Sequence, residues 1–285
     1  MKKVAIIVLH YKNWPDTRGC LLSLKKIDRK GVVVETIVVD NSGTKLIEKP
    51  LKDTFPQVKY LTTSQNLGFA GGNNLGIKQA LNLHRSDLGK KKVDYILLLN
   101  NDTVVQGDFL KILVKTLRRD EAAGIIGPTI KHQVKGKTFY DYGGVINWYL
   151  GKTYHLNKTT NRDKRVRERD FVTGCCMLVK SEVFEKIGLL NEDYFLYLED
   201  VEFCVRAQRG GFKVLLNPRA QIFHKGSQSI SEWGKIKYSW RNSLRFSWEW
   251  VKWPGKILAL FYNLIFYPTL FLRWKIVNLK NNLRF

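Results

Sequence analysis

The stretch Ile96-Leu97-Leu98-Leu99-Asn100-Asn101-Asp102-Thr103 decides the fold class. Four consecutive apolar residues run straight into a cluster of oxygen-bearing side chains. A short apolar run with polar bounds reads as a strand buried on both faces, as in a parallel sheet. In open α/β sheets the ligand site lies outside the carboxyl ends of the strands. Asn100, Asn101 and Asp102 stand at such an end. A carboxylate flanked by carboxamides suits a hard divalent cation that keeps water and phosphate oxygens in its shell. An Asn/Asp turn closing the strand fits the same residues. Taken alone, the stretch leaves both readings open.

Working outward, Val4–Leu9 predicts a first strand, and a helix follows with Asn13 or Asp16 near its start, Pro15 in its first turn and Cys20, Leu21 and Leu24 on one face. Val32–Val39 is rich in β-branched residues and ends in Asp40-Asn41-Ser42-Gly43, a strand entering a turn. Val58–Leu61 is a third short strand. It leads to Asn66-Leu67-Gly68-Phe69-Ala70-Gly71-Gly72-Asn73-Asn74, read as a glycine-rich loop, then a helix to about Leu83 and a polar, basic connection from His84 to Lys92. An amphipathic helix from Asp108 to Arg119 follows the opening stretch. The order β-α-β-β-α-β-α predicts an α/β fold with a doubly wound, mainly parallel sheet flanked by helices. Ile125–Lys131, Thr138–Leu150 and Phe171–Val179 read as strands, and Glu182–Ile187 as a short helix. A helix over Glu199–Gln208 precedes strands at Phe212–Leu216 and Ala220–Phe223. The charge run from Lys158 to Asp170 has no apolar period and reads as a mobile surface loop.

A chain of 285 residues accommodates one large α/β domain or two smaller ones. Its net charge of +23 implies a polyanionic partner: nucleotide phosphates, nucleic acid or an anionic membrane surface. The four cysteines, Cys20, Cys175, Cys176 and Cys204, have no metal-ligand spacing, and adjacent Cys175 and Cys176 do not readily bridge each other, which predicts a reducing, cytoplasmic compartment. The apolar run at the amino end is too short for a signal-peptide core.

Composition changes after residue 230, dividing the sequence into a domain over 1–230 and a helical, basic and aromatic extension over 231–285. Six of the eight tryptophans lie in the extension, and Lys225 to Phe285 carries eleven Lys/Arg against Glu232 and Glu249. Ile257–Leu272 is apolar except for Asn263, Pro268 and Thr269. It falls short of the ~20 residues that span a bilayer, and Pro268 is expected to interrupt it. Basic flanks with Trp and Tyr fit a segment lying in the headgroup region. A packed helical pair or an oligomer interface fits as well. Nucleic acid is not expected, since no recognised binding module is visible and the aliphatic content favours lipid.

Three further groups have chemical potential. In Glu199-Asp200-Val201-Glu202 a helix starting near Glu199 places Asp200 on one stripe with Phe203, Cys204 and Ala207, and pairs Glu202 with Arg206 at the surface. A carboxylate on the buried side of a helix start is costly without work or partners. It is a helix cap or a general base, and desolvation would raise its pKa toward the range useful for taking a hydroxyl proton. His224, after a strand, is structural or completes a mixed N/O metal site with Asp102. Asp40 forms an Asx turn or accepts hydrogen bonds from a nucleobase or ribose. The glycines from Gly68 to Gly76 permit close backbone approach to a ligand, without the spacing of a dinucleotide fingerprint or P-loop.

Together, Asp40-Asn41-Ser42, Asn66-Leu67-Gly68-Phe69-Ala70-Gly71-Gly72-Asn73, Leu99-Asn100-Asn101-Asp102, Glu199-Asp200 and His224 resemble glycosyltransferase family 2, and the Asn-Leu-Gly-Phe-Ala-Gly-Gly-Asn run is similar to its rhamnosyltransferase-like branch. The resemblance covers Val4 to Ser229. It implies a GT-A, Rossmann-like fold, inversion at the anomeric carbon, a dTDP- or UDP-sugar donor, Mg2+ or Mn2+, and a polyprenyl-linked or polysaccharide acceptor met on the inner face of the membrane. It further implies Asp200 as catalytic base, Asp102 and His224 as metal ligands, and donor contacts from His10, Tyr11, Asp40, Asn66, Gly68, Asn73 and Asn100. One departure is that Asn100 stands where the Asp-x-Asp motif has its first acid; it adds no charge and at most orients ribose or metal-bound water. Two rivals remain: a catalytically silent membrane-surface scaffold or carbohydrate-binding protein, and a sugar-nucleotide pyrophosphorylase. The second lacks its Gly-x-Gly-x-Arg-Leu loop here, where the first strand ends in His10-Tyr11-Lys12-Asn13.

Overall fold

The computed structural model describes residues 1–81, 93–226 and 230–282, with side chains to residue 276. Leu83, the connection from His84 to Lys92 and Ser227–Ser229 lie outside the described residues. The chain divides into two units. The first comprises Met1–Val145, His155–Phe195 and Glu199–Ser227, the second Ile146–Tyr154, Leu196–Leu198 and Gln228–Phe285.

In the first unit the strands β1 (Lys2–His10), β2 (Val32–Asp40), β3 (Lys59–Thr62) and β4 (Tyr95–Asn100) form a parallel array in the order β3-β2-β1-β4. Ile96, Leu97, Leu98 and Leu99 are at most 1% exposed, as a strand buried on both faces requires. The array continues through β10 (Cys176–Lys180), antiparallel to both β4 and β6 (Ala123–Val134), and then β11 (Lys213–His224), parallel to β6. The short β5 (Thr103–Val105) closes this edge antiparallel to β11. Off the main path, β7 (Lys137–Asn147) pairs with β6 and with β8 (Lys152–Lys158), and β9 (Arg167–Glu168) pairs with β11. The strand order reverses between β1 and β4, the place where doubly wound sheets open a crevice.

Helices α1 (Trp14–Leu24), α2 (Glu48–Thr54), α3 (Gly68–Leu81), α4 (Phe109–Leu117), α5 (Ser181–Ile187) and α6 (Glu199–Arg209) accompany the sheet. The Asn13 side chain caps α1 by accepting from the Asp16 N–H, with Pro15 in the first turn. On α4, Phe109, Leu110, Leu113, Val114 and Leu117 are buried, the stripe that a 3.6-residue period predicts. All four cysteines are free and buried.

Several expectations are corrected. The glycine-rich stretch is the first half of α3 rather than a loop. Its glycines let the helix lie on the sheet, since a Cβ on Gly72 would come within 2.5 Å of Leu9 Cδ1 and one on Gly76 within 2.6 Å of Ile7 Cγ2. Phe171 makes only an isolated bridge to Gly144, Val172–Cys175 leaves the sheet, and Cys176–Lys180 is strand. Strands expected at Phe212–Leu216 and Ala220–Phe223 are one strand, β11, with an irregularity between Asn217 and Gln221. The charge run is irregular up to Val166 but anchored beyond it: Arg167–Glu168 pairs with β11 and the Arg169 side chain donates to the Tyr142 carbonyl at 2.8 Å. Glu202 pairs with Arg206 as expected (2.7 Å), yet it is buried, and Arg206 also donates to the Ile187 and Leu189 carbonyls.

The second unit contains helices α7 (Glu232–Trp250) and α8 (Gly255–Asn282). Buried Asn242 on α7 donates to the carbonyls of Leu196 and Tyr197, both at 2.8 Å. Tyr197 and Leu198 adopt φ of 71° and 69°, a left-handed pair that such residues hold only against a cost of about 1–3 kcal/mol each. Pro268 does not end α8, contrary to expectation. The missing N–H costs one helical hydrogen bond, and the helix runs on to Asn282, 28 residues in all. Its stretch Gly255–Ile276 is long and apolar enough to cross a membrane by length and composition.

Candidate active site

The parallel strands set the site's first wall by register. His10 on β1 lies opposite Asp40 on β2, and Leu9 opposite Asn100 on β4, so three polar residues end their strands side by side. His10 is 1% exposed; its Nδ1 meets Thr17 Oγ1 at 2.7 Å, and burial lowers its pKa against the opposing charge of Asp40. Asp40 is wholly buried. Its Oδ1 accepts from the Ser42 N–H at 3.0 Å, which is the Asx turn, and its Oδ2 accepts from the Tyr60 hydroxyl at 2.9 Å. Burial pushes the Tyr60 phenol up to about 12. Tyr11 and Asn66 keep accessible surface at this end of the sheet.

The Asp40-Asn41 turn and the start of α3 are one hydrogen-bonded unit. Asn41 donates to Asn66 Oδ1 (3.0 Å) and the Gly68 carbonyl (2.9 Å), and accepts from the Leu67 N–H (2.9 Å). Asn66 Oδ1 also accepts from the Gly68 N–H at 2.9 Å. Asn41, to which the sequence assigns no role, is the hub of this corner. Gly68 has φ +73°, and a Cβ there would lie 2.3 Å from the Phe195 carbonyl, which accepts from the Phe69 N–H at 2.7 Å. Asn73 is buried, donates to the Phe69 carbonyl at 3.0 Å and has no partner for Oδ1 among the described residues. Asn74 pins the segment ahead of α6 through Leu190 and Glu192.

Asp102 and His224 come together. β11 runs antiparallel to β5 with His224 opposite Thr103, which places His224 Nε2 3.1 Å from Asp102 Oδ1. The Lys225 N–H donates to the Asp102 carbonyl at 3.0 Å, and the Lys225 ammonium pairs with Asp16 at 2.5 Å. Asn101 turns toward α1, donating to Thr17 Oγ1 at 2.9 Å, so it serves the turn. Asn100 is tied through its backbone, donating from N–H to the Cys175 carbonyl (2.9 Å) and accepting from Thr103 Oγ1 (2.7 Å). One carboxylate and one imidazole nitrogen aimed at one point suit a divalent cation that takes its remaining ligands from water and phosphate. No third His, Cys, Asp or Glu joins them among the described residues.

Asp200, itself half-buried, lies in the first turn of α6 on the stripe shared with the fully buried Phe203, Cys204 and Ala207. Its Oδ2 accepts from the Gly174 N–H at 2.7 Å and its Oδ1 from the Val201 N–H at 2.8 Å. It is thus inside the helix and bound across the site, more than a cap. Burial raises its pKa, opposed chiefly by the Gly174 N–H and the charge of His155. Neighbouring Glu199 is raised well above the carboxylate range by burial and by Asp200, and its Oε2 has no partner among the described residues. Burial also raises the Cys175 thiol, and among the contributing charges are Asp141, Asp102 and Asp200. Acids from three distant parts of the chain therefore bear on one buried residue. Asp141, buried on β7 and bonded to His155 Nδ1 at 2.8 Å, is the member that sequence reasoning missed. The only signal was an acid inside a strand.

Residues 5–188 match the family described as Glycosyl transferase family 2. The match takes in Asp40, the Asn66–Asn73 run and Asp102, and ends before Asp200 and His224. Over 220 residues the chain is 28% identical to the low-salt glycan biosynthesis hexosyltransferase Agl10 of Haloferax volcanii, covering 74% of this chain and 63% of that protein. Over 238 residues it is 26% identical to the N-acetylglucosaminyl-diphospho-decaprenol L-rhamnosyltransferase of Mycobacterium tuberculosis, covering 79% and 76%. Among solved structures, a mannosyltransferase of Pyrobaculum calidifontis in complex with GDP-Man and Mn2+ superposes with TM-score 0.58 at 14% identity, covering 93% of this chain and 69% of that one. GalNAc-T7 with UDP, GalNAc and Mn2+ does so with TM-score 0.62 at 14% identity, covering 85% and 51%. The likeness establishes the GT-A fold.

Proposed function

The chain belongs to glycosyl transferase family 2, and from that premise we infer that it is an inverting glycosyltransferase moving rhamnose or another hexose from a dTDP- or UDP-sugar to a hydroxyl of a polyprenyl-linked or polysaccharide acceptor. The observation that carries this reading is that Asp200 accepts from the Gly174 N–H while the neighbouring Cys175 carbonyl accepts from the Asn100 N–H, two residues before the Asp102 that meets His224. A carboxylate able to hold a charge-neutralising cation and a carboxyl base would then act on one substrate.

In this reading Asp102 and His224 would hold Mg2+ or Mn2+, and a divalent ion bound there would neutralise charge on the leaving nucleoside diphosphate. The Gly174 and Val201 N–H groups orient the Asp200 carboxylate, which takes the proton of the acceptor hydroxyl as its oxygen bonds to the anomeric carbon. The bond from that carbon to the phosphate oxygen breaks on the opposite face, and its electron pair leaves with the diphosphate. The donor contacts divide into two groups. Tyr11, Asn66 and Asn100 keep accessible surface for the nucleotide, while His10, Asp40, Gly68 and Asn73 form the buried wall that shapes its pocket.

The domain over 1–230 carries this chemistry, and the extension over 231–285 binds an anionic membrane surface from the cytoplasmic side. Support comes from exposed Ile257, Leu258, Phe261, Leu264, Ile265 and Leu272 on α8 and from the basic residues around them. Adhesion would bring the site to a lipid-linked acceptor.

The test is a panel of nucleotide sugars scored for thermal stabilisation and for donor hydrolysis with Mg2+ or Mn2+. One or a few donors should stabilise the protein and turn over, with turnover lost to chelator. Indifference to every donor, or turnover untouched by chelator, would overturn the reading.

A further inference from the structure

Asp200 shares its wall with a second charged pair, joined to it by residues 171–175, the segment that precedes β10. The Phe171 ring meets the His155 imidazole edge-on with centroids 5.2 Å apart. Thr173 Oγ1 donates to Asp141 Oδ2 at 3.4 Å, the Gly174 N–H donates to Asp200 Oδ2 at 2.7 Å, and the Cys175 carbonyl accepts from the Asn100 N–H at 2.9 Å. Asp141 accepts also from the Gly143 N–H (2.8 Å) and from His155 Nδ1 (2.8 Å). It is a buried acid whose Oδ2 is shared between the His155 imidazole and Thr173, so it ties the ring to the linking segment. The His155 side chain remains 44% exposed.

Two carboxylates near one another each disfavour ionisation of the other, and a cation between them reverses this. The hydrogen bond that His155 donates to Asp141 raises the imidazole pKa above its ordinary value against the effect of burial, and the charges of Asp141 and Asp200 add to the rise. Reciprocally, His155 is among the groups that hold Asp200 down. Among the described residues, Glu199 and Cys204 on α6 and Cys175 on the linking segment also bear on Asp200, and burial raises the pKa of all three. Among these groups His155 alone brings positive charge.

The geometry points to Asp141–His155 as the positioning pair of the base: the imidazolium, clamped by Asp141 and sharing the 171–175 wall with Asp200, keeps the Asp200 carboxyl ionised and able to take the acceptor's proton. This role rests on the transferase reading, in which Asp200 is the base. Asp141 and His155 act through Asp200 and form no bond to substrate.

The full chain with 13C-carboxyl-labelled aspartate tests the pair without any donor, the Asp200 signal being assigned by its loss in Asp200→Asn. The titration midpoint of that signal should move to higher pH in His155→Gln and in Asp141→Asn, and return toward the wild-type value in His155→Arg, which restores a fixed cation. The acid limb of the kcat/KM profile should move the same way once a donor is identified. A midpoint unmoved in a His155→Gln protein that melts like wild type overturns the proposal. Should that variant fail to fold, the wild type decides alone: the Asp200 signal must show a second inflection where the His155 ring titrates, and a single inflection overturns the proposal. A protein inert to every donor would instead remove the transferase reading and leave the titration readable.

Discussion

Two acid–imidazole pairs serve the first unit, Asp102–His224 and Asp141–His155, and they differ in how they are built. Asp102 and His224 stand at the ends of strands that run into polar residues, and they meet through Nε2 because β11 lies antiparallel to β5. Asp141 sits inside β7 and meets Nδ1 of a histidine on β8, with Thr173 and the Gly143 N–H completing its shell. Strand ends leave ligand positions open to substrate phosphates and water. A carboxylate surrounded by donors inside a sheet has no open position and can act only through the imidazole it holds. The difference teaches that one pair suits a cation and the other suits the base.

The largest expected effect tests the base that both pairs serve. Asp200→Asn should lower the transfer rate by about 10²- to 10⁴-fold with donor-induced stabilisation retained. A near-wild-type rate in a folded variant would remove the assignment. Next, Asp102→Asn should cost several kcal/mol of transition-state stabilisation, roughly 100-fold or more in rate, and raise the Mg2+ or Mn2+ concentration giving half-maximal rate. Asp141→Asn should leave that concentration unchanged and move the acid limb of the pH profile instead. If both variants shift the cation dependence alike, the division between the pairs fails.

Smaller effects concern the walls. Gly68→Ala forces a left-handed residue whose Cβ would meet the Phe195 carbonyl at 2.3 Å, and should cost about 2 kcal/mol of stability by denaturant unfolding. A loss within error would mean that the Phe195 carbonyl moves aside freely. Smallest is Glu199→Gln. The folded-state pKa of Glu199 is raised by burial and by Asp200, so the wild type loses stability as pH rises from the ordinary carboxylate range through that raised value. The Gln variant escapes this loss, and its Tm advantage should grow with pH. A Tm difference independent of pH would show that Glu199 titrates alike in the folded and unfolded chain.

Much of the candidate site was legible before any coordinates, for a reason visible in particular residues. Asp40, Asn100 and His224 each follow an apolar or β-branched run, and a run that stops at a polar side chain marks a strand end whatever surrounds it. Asp200 was legible through the stripe it shares with Phe203, Cys204 and Ala207. The glycine-rich stretch misled because glycines that let a helix approach a sheet look, in one dimension, like glycines that free a loop. Gly72 against Leu9 and Gly76 against Ile7 are contacts between residues far apart in the chain. Pro268 misled by propensity, since one lost hydrogen bond did not end a helix of 28 residues.

By itself the sequence determined a doubly wound, mainly parallel sheet, its polar strand ends, the stripe that carries Asp200, and the change to a basic, aromatic helical tail. These follow from local periodicity and composition, which act over a few residues. The tertiary structure alone decided that Asp102 faces His224, that the 171–175 segment joins Asp200 to Asp141 and His155, that Asp40 and His10 are buried by their own neighbours, and that α8 runs on through its proline. Each of these depends on strand register or on packing between distant segments, and a shift of one residue in a β pairing would turn every one of its side chains to the other face.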